Sequence, residues 1–220
     1  SLSDGAAIVV IYNAHLNEDA TVNHTSGTTD NKNTVYLQYS NNPNASGSGD
    51  SGNDDTGKTE EDHVWVFGAL QSQNHGKIHM GKYSKLGSNC KILSVESVTI
   101  GDYTAIADNV VITDNNNHPV NPSFRMYMRT TPERDDSRMW KHSAHAPVVI
   151  GKNCWIGQNS RIHKGVVLGD NCIVAANAVV TKSAPANCIL AGNPARIVKT
   201  DIDQVEAPTT CEGYNEYVKQ

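Results

Sequence analysis

The sequence has few aromatic residues and lacks long apolar runs. Aromatic residues account for 6% of the 220 positions, while glycine, asparagine and small side chains are frequent, which is not typical of a helix bundle. No stretch of about eighteen apolar residues is present, so we expect no membrane span. Residues 1–15 combine neither a basic leader nor a long apolar stretch, and we do not expect a signal peptide there.

The sequence also lacks an excess of positive charge. Its formal net charge is -5 at pH 7. A protein whose main partner is a nucleic acid usually presents a strongly basic surface. We therefore expect no nucleic-acid partner.

The cysteines do not form a recognisable disulfide or zinc pattern. There are five of them, an odd number, and none belongs to a C-x-x-C pair. Four directly follow an asparagine: Cys90, Cys154, Cys172 and Cys188. The repetition indicates an internal repeat, in which the thiols are small buried residues of a protein from a reducing compartment, the cytoplasm.

A period of six dominates the second half of the chain. Aliphatic residues recur at Ile150, Ile156, Ile162, Leu168, Val174 and Val180. Small or β-branched residues recur four positions later, at Cys154, Ser160, Val166, Cys172, Ala178 and Ala184. Neither an α-helix nor a single strand has this period, but a parallel β-helix of hexapeptides does. Each aliphatic side chain is then expected to point inward and stack on its copy about 4.8 Å away in the next coil.

The same spacing occurs upstream, with two interruptions. Ile100, Ile106 and Ile112 form one set, Met80, Leu86 and Ile92 form another, and a two-residue slip separates them. Between residues 114 and 147 the spacing is lost in a polar, proline-containing segment. Long segments of this kind inside compact domains are usually functional, so we expect a loop extruded from one corner of the coil.

We therefore predict an all-β chain with three regions. Residues 78–199 form the β-helix with its extruded loop 114–147. Residues 1–77 form an irregular N-terminal β region, in which residues 41–60 are a polar low-complexity loop. Residues 200–220 form a C-terminal tail.

The segment 148–199 resembles the hexapeptide-repeat acyltransferases. The similarity rests on "CWIG", "VVTK" and "GNPARIVK" placed around the repeats, and it covers roughly residues 78–199. It is strongest to the maltose and galactoside acetyltransferases and to the capsule or polysaccharide O-acetyltransferases. The resemblance implies a left-handed parallel β-helix, a homotrimer with active sites between subunits, and acetyl-CoA as acetyl donor without a required metal.

The resemblance also implies a catalytic histidine. The family places it at the start of the extruded loop, before a proline, and His118-Pro119 matches that position. It would act as the general base that removes a proton from an acceptor hydroxyl, a role that suits imidazole with its ordinary pKa of about 6.5. His142 and His145 lie in the same loop but at its far end, so they rank below His118.

Four further residues are candidates for the acceptor side of the site. Trp155 in "CWIG" matches a family tryptophan that can form a flat wall for a sugar ring, although packing between subunits is an equal alternative. Asn89 is near a family asparagine that orients the acceptor. Asp114 and Asn116 are expected to hold the second nitrogen of the His118 ring, although a solvated loop position is the simpler interpretation.

The donor side is implied by similarity at six positions. Gln158 and Ala176 match residues whose main chain contacts the pantetheine arm. Thr181 and Lys182 match contacts to the nucleotide end. Arg196 and Lys199 match cations near the coenzyme A phosphates, where positive charge is required.

The predicted function is acetyl transfer to a carbohydrate hydroxyl, on a surface polysaccharide or a sugar intermediate. An N-acetyltransferase acting on an amino sugar or a xenobiotic is the first alternative. A zinc-dependent enzyme resembling the β-helix carbonic anhydrases is another, with ligands from among His118, His142, His145 and His163. A non-catalytic scaffold with the same fold is the last.

Overall fold

The structure is a computed structural model that describes residues 9–11, 33–35 and 64–218. Its strands lie in three sheets, which we call faces A, B and C. Face A contains β1 (Val9–Ile11), β5 (Lys77–Met80), β8 (Ser97–Ile100), β11 (Val148–Ile150) and β14 (Val167–Leu168). Face B contains β2 (Asn33–Val35), β4 (Ala69–Ser72), β7 (Lys91–Ser94), β10 (Val111–Thr113), β13 (Arg161–Ile162) and β16 (Val179–Val180). Face C contains β3 (Trp65–Val66), β6 (Lys85–Leu86), β9 (Ala105–Ile106), β12 (Trp155–Ile156), β15 (Ile173–Val174), β17 (Ile189–Gly192) and β18 (Ala195–Lys199).

The chain visits the faces in the repeating order C, B, A. All pairings between coils are parallel, whereas β2 and β18 add to their faces antiparallel. Each strand pairs with the equivalent strand of the next coil, as Ile106 does with Ile156 and Ile100 with Ile150. These contacts confirm the predicted parallel β-helix of hexapeptide repeats.

The aliphatic residues of the six-residue period fill the interior. Ile112, Ile150, Ile156 and Ile162 are each at most 1% exposed. The second column is buried as well and includes the thiols of Cys90, Cys154, Cys172 and Cys188, which are free. Burial raises the pKa of the Cys90 thiol. The thiols are therefore packing residues, as the sequence predicted.

Two of the three corners vary in length among the described coils. Inward residues on either side of the A–C corner are six positions apart, as in Ile150 to Ile156. Those of the C–B corner are also six apart, as in Ile156 to Ile162, except in the first coil, where Val66 and Leu70 are four apart. At the B–A corner the separation is ten from Leu70 to Met80 and eight from Ile92 to Ile100. It is six again from Ile162 to Leu168. The two-residue slip in the sequence is thus a wider B–A corner.

The long interruption of the repeat is also at the B–A corner. Between β10 and β11 the chain forms helix α1 (Pro122–Thr130) and two short 3-10 turns, Asp136–Arg138 and Trp140–His142. Met128 is 5% exposed and the backbone N–H of Trp140 donates to Gln73 Oε1 at 2.9 Å, so the loop packs back onto the wide corner of the first coil. This is the predicted extruded loop, and it has structure of its own.

The coils begin earlier in the chain than the predicted boundary at residue 78. β3 and β4 already pair with β6 and β7, and Val64 and Leu70 are core residues. The spacing of six missed this coil because its C–B corner is two residues shorter and its B–A corner four residues longer than the regular corner. The predicted loop 41–60 lies outside the described residues.

The C-terminal residues leave the coils after β18. A 3-10 turn, Ile202–Gln204, and a short helix α2 (Glu212–Tyr217) follow, and both are mostly exposed. Within the part of the chain that the structure describes, no helix is long and apolar enough to cross a membrane.

Candidate active site

His118 lies on an exposed turn at the root of the extruded loop. Its backbone N–H donates to the carbonyl of Asn116 at 2.7 Å, and Asn117 has a positive φ of 62°. Helix α1 starts shortly afterwards, capped by the side chain of Asn121, which accepts from the N–H of Phe124 at 2.9 Å. The sequence thus places the imidazole between two local structures that hold the backbone on either side.

The root of the loop is held by a buried carboxylate. Asp114 is 0% exposed. Its oxygens accept from Ser94 Oγ at 2.8 Å, from the N–H of Val95 at 2.9 Å and from the N–H of Glu96 at 2.8 Å. Asn115 Nδ2 also donates to it at 3.0 Å. Asp114 therefore fastens the start of the loop to the corner of the preceding coil.

The end of the loop is fastened at the same place. The N–H of Ala146 donates to the carbonyl of Asp114 at 2.9 Å, and the N–H of Asn116 donates to that of Ala144 at 3.1 Å. His145 Nδ1 lies 2.9 Å from Glu96 Oε2. The two ends of the loop thus form a short antiparallel clamp beside His118.

The two competing histidines have carboxylate partners. His145 pairs with Glu96, and His142 Nε2 lies 2.7 Å from Asp136 Oδ2. The pKa of Asp136 is lowered most by a hydrogen bond from Lys141 and next by one from His142. His142 joins two parts of the loop and His145 joins the end of the loop to the 94–96 turn, whereas the ring of His118 forms no such pair within the described chain.

The structure does not bear out the expected partners of the His118 ring. The carboxylate of Asp114 is directed to the 94–96 turn, and Asn116 contributes only backbone hydrogen bonds among the described contacts. Side chains along a strand point alternately to its two faces. Asp114 follows the inward Ile112 of β10 by two residues and therefore points inward as well. Asn117 was missed by the sequence analysis. Its Oδ1 is buried and, within the described residues, has no hydrogen-bond partner.

Trp155 lies on a different side of the molecule. It is 59% exposed on face C and borders a cavity of about 290 Å³. We call this the C-face cavity, and its lining residues are Lys85, Gly87, Ala105, Ile106, Ala107, Asp108 and Trp155. Ala105 lies between Lys85 and Trp155 in the column of outward side chains, and its small size leaves the space between them.

His118 and Trp155 of one chain do not share a site. His118 projects from the B–A corner, whereas the C-face cavity lies on the one face that does not border that corner. Asn89 lies on the C–B corner at the edge of face C, with a φ of 57°. The structure thus groups Asn89 with the Trp155 side and separates both from His118.

The predicted donor residues are exposed and occupy three places. Gln158 and Ala176 lie at the same point of the C–B corner in successive coils, where the N–H of Asn177 donates to the Gln158 carbonyl at 2.9 Å. A Cβ on Gly157 would come within 2.6 Å of the Ala176 nitrogen, so the main chains approach closely there. Thr181 and Lys182 follow β16, and Arg196 and Lys199 lie on β18.

These donor positions suit an extended anionic thioester in two respects. The C–B corner offers main-chain groups along an exposed edge, and the C-terminal coil offers the exposed cations Lys182, Arg196 and Lys199. In the described residues, no group of three histidine, cysteine or acidic side chains could hold a metal ion.

Comparisons with known proteins support the assignment of the repeats. Residues 147–182 match a family model described as the hexapeptide repeat of succinyl-transferase. The chain is 38% identical over 130 residues to a putative lipopolysaccharide biosynthesis O-acetyl transferase, WbbJ, of Escherichia coli K12. It is 29% identical over 141 residues to the galactoside O-acetyltransferase of the same organism. These alignments cover 59% and 64% of this chain but 64% and 63% of the relatives, so the chain spans less than two thirds of their length.

A solved structure shows the same fold. A variant of AntD, an N-acyltransferase from Bacillus cereus solved with dTDP-4-amino-4,6-dideoxyglucose and coenzyme A, superposes with a TM-score of 0.50. The match covers 71% of this chain and 77% of that chain at 23% identity. The predicted fold class, a left-handed parallel β-helix, and the predicted resemblance to hexapeptide-repeat acyltransferases are confirmed.

Proposed function

We propose that this chain, with the repeat region of a hexapeptide-repeat acyltransferase, transfers an acetyl group from acetyl-CoA to a hydroxyl of a carbohydrate. The named O-acetyltransferases among its relatives support this class of reaction. The observation that carries the proposal is His118, an exposed imidazole held on a turn where the loop leaves the coils. Free thiols and the use of acetyl-CoA support a cytoplasmic location.

In the proposed reaction, His118 acts as general base. Its neutral imidazole accepts the proton of the acceptor hydroxyl while that oxygen attacks the thioester carbonyl. The carbonyl carbon then forms the new ester, and the imidazolium returns the proton to the departing thiolate of coenzyme A. Acetyl-CoA supplies an acyl group on a good leaving group, and no metal enters the sequence of steps.

The site requires two chains. His118 lies at the B–A corner, while Trp155, Asn89 and the C-face cavity lie on the far side of the same chain. A cyclic assembly, in which the B–A corner of one copy meets face C of the next, brings the two halves together. We therefore propose a homotrimer, in which Trp155 forms a wall for the acceptor sugar and Asn89 orients it.

The donor is proposed to run along the C–B corner. Main-chain groups at Gln158 and Ala176 would bind the pantetheine arm. Thr181 and Lys182 would contact the nucleotide end, while Arg196 and Lys199 would neutralise phosphate charge.

The experiment is acetyl-CoA turnover with a panel of free sugars, nucleotide sugars, oligosaccharides and amino sugars, read by chromatography of coenzyme A and by the mass of the acceptor. We expect acetylation of a sugar hydroxyl. His118→Ala should lower kcat about 10²–10⁴-fold because a general base is lost, with unchanged coenzyme A binding.

His142→Ala is the matched control, since it removes an exposed histidine of the same loop, and it should retain turnover within a few-fold. Equal turnover by wild type and His118→Ala would refute the role of His118. Acetylation restricted to amino sugars would show N-acetyl transfer instead.

A further inference from the structure

The A–C corner carries an unusual pair of residues. Tyr83, Tyr103, Asn153, Asn171 and Asn187 occupy the same point of this corner in successive coils, and all have a positive φ between 51° and 62°. The upper three link their side chains, with Asn153 Nδ2 donating to Asn171 Oδ1 at 2.9 Å and Asn171 Nδ2 donating to Asn187 Oδ1 at 2.8 Å. In the lower two coils the asparagine is replaced by tyrosine.

Backbone energetics do not explain the tyrosines. Asparagine is the common non-glycine residue in the left-handed region, while a bulky side chain there is an outlier with a strain of about 1–3 kcal/mol. The C–B corner follows the common rule, with Asn89, Asn109, Asn159 and Asn177 at its four left-handed positions. The stacking of an aromatic pair returns about 0.5–1.5 kcal/mol beyond the burial of its area, which does not exceed the strain of two such residues. The stacking contact alone therefore gives no reason for tyrosine here.

The two rings form one surface. Their centroids are 5.3 Å apart and their planes differ by 8°, which is an offset stack. Tyr103 is 53% exposed and Tyr83 is half-buried. A ring carrying a hydroxyl has an apolar body and a polar tip, which suits a ligand with apolar C–H patches and many hydroxyls.

The ring pair lies on the A–C side of the C-face cavity, although neither tyrosine lines the cavity itself. Lys85 and Ala105, which do line it, follow Tyr83 and Tyr103 by two residues in the same two coils. Two residues span at most about 7 Å of backbone, so the backbone at the two tyrosines lies within that distance of two lining residues. Phe67, which is 59% exposed, lies at the opposite, C–B end of face C, and Lys85 Nζ is 5.6 Å from its ring centroid.

We propose that the stacked pair Tyr83–Tyr103 is a subsite for a sugar residue that neighbours the one being acetylated. The acceptor is then an oligosaccharide or polysaccharide chain, and a free monosaccharide is a poor substrate. The proposal rests on the proposed function, because it requires the C-face cavity to hold the acceptor sugar. The next sugar along the chain packs on the ring pair and exchanges hydrogen bonds with the hydroxyl of the exposed Tyr103.

The test uses the double variant Tyr83→Asn/Tyr103→Asn. It extends the asparagine column of the same corner, so the fold and the melting temperature should be kept or improved. Initial rates are measured with galactose, with sialic acid, and with oligomers of two to six residues of each. The double variant Tyr83→Phe/Tyr103→Phe keeps the rings and separates their contribution from that of the hydroxyls.

We expect wild-type kcat/KM to rise about tenfold from the monosaccharide to the tetrasaccharide of the preferred series, because the longer acceptor gains a packing contact with the ring pair. The asparagine variant should lose this gain while keeping monosaccharide kcat/KM and acetyl-CoA KM within about twofold.

Several outcomes would overturn the subsite. One is a wild type without preference for longer chains, and another is an asparagine variant that retains the preference. A change in the sedimentation mass of the asparagine variant would do so too, because it would show that the rings form a contact between protomers. Absence of turnover with every sugar tested would instead refute the proposed function itself.

Discussion

Asp114 illustrates how a single residue can have a different role from the one its neighbours in sequence suggest. It lies four residues before His118, and the sequence analysis gave it the role of holding the imidazole. In the structure it is fully buried and accepts hydrogen bonds from Ser94, Val95 and Glu96. It therefore acts on His118 only through the backbone of the loop root.

Replacing Asp114 by asparagine should weaken the loop root. An amide presents only one acceptor oxygen and directs an N–H₂ group at backbone donors. We expect the free energy of unfolding to fall by about 1–3 kcal/mol, the usual result of leaving a buried hydrogen-bonding group without its partner. The measurement is urea denaturation at a fixed protein concentration.

Asp170→Asn is the control for this change. Asp170 also accepts a backbone hydrogen bond, from Lys152 at 2.8 Å, but it is exposed, so its replacement should have little effect on stability. Equal stability of the two variants would contradict the structural role of Asp114.

At the scale of elements, the loop is an addition to a corner that can be closed without it. In the next coil the B–A corner is closed by the residues between Ile162 and Leu168, with Gly165 at a φ of 74°. The loop contributes one buried apolar side chain, Met128, and lies against the outside of the wide corners. The coils and the loop are thus separable in their packing.

Replacing residues 115–147 by a single glycine should leave a folded β-helix. The replacement restores the spacing of six between Ile112 and Ile150, with the glycine in the place that Gly165 has one coil later. We expect a β-type circular dichroism spectrum, cooperative unfolding and unchanged coenzyme A binding. Turnover should fall at least about 10²-fold because the general base is removed.

The same variant tests the separability of the loop. An unfolded product would mean that the loop is needed for the coils to form. A folded product with full turnover would mean that the base lies elsewhere than residues 115–147.

At the scale of the whole molecule, the positions of the two half-sites argue for assembly. In the proposed site the base comes from the B–A corner and the acceptor wall from face C, and one chain does not bring these two places together. A ring of identical copies solves this by heterologous contacts, in which each copy gives a histidine to one neighbour and a cavity to the other.

This arrangement predicts complementation between two inactive variants. His118→Ala lacks the base, and Ala105→Trp fills the C-face cavity from an outward position. Each should be inactive alone. When they are unfolded and refolded together in equal amounts, about one site in four combines an intact histidine with an intact cavity, so about a quarter of wild-type activity should return.

The control is to mix the two variants after separate refolding, which should restore nothing if the assemblies do not exchange subunits. Absence of activity after co-refolding, with mixed assemblies verified by mass, would contradict a site shared between two chains.

The sequence by itself determined the coils and the place where they are interrupted. Aliphatic residues every six positions predicted a parallel β-helix, and the expected stacking of these residues in successive coils is confirmed by the pairing of Ile156 with Val174. The separation of the extruded loop and the position of His118 at its root followed from the loss of that spacing.

The tertiary structure alone decided what lies beside what around the coils. The two-residue slip in the sequence did not show which corner is wider. The structure places it at the B–A corner, so the coil is twenty residues long and Tyr103 stacks on Tyr83 at the A–C corner. The structure also shows that Asp114 is buried and that His118 and Trp155 lie on different sides of the coils. The physical reason is that hydrophobic burial sets which residues face the interior, while the length of each coil depends on corner conformation, which the inward residues do not specify.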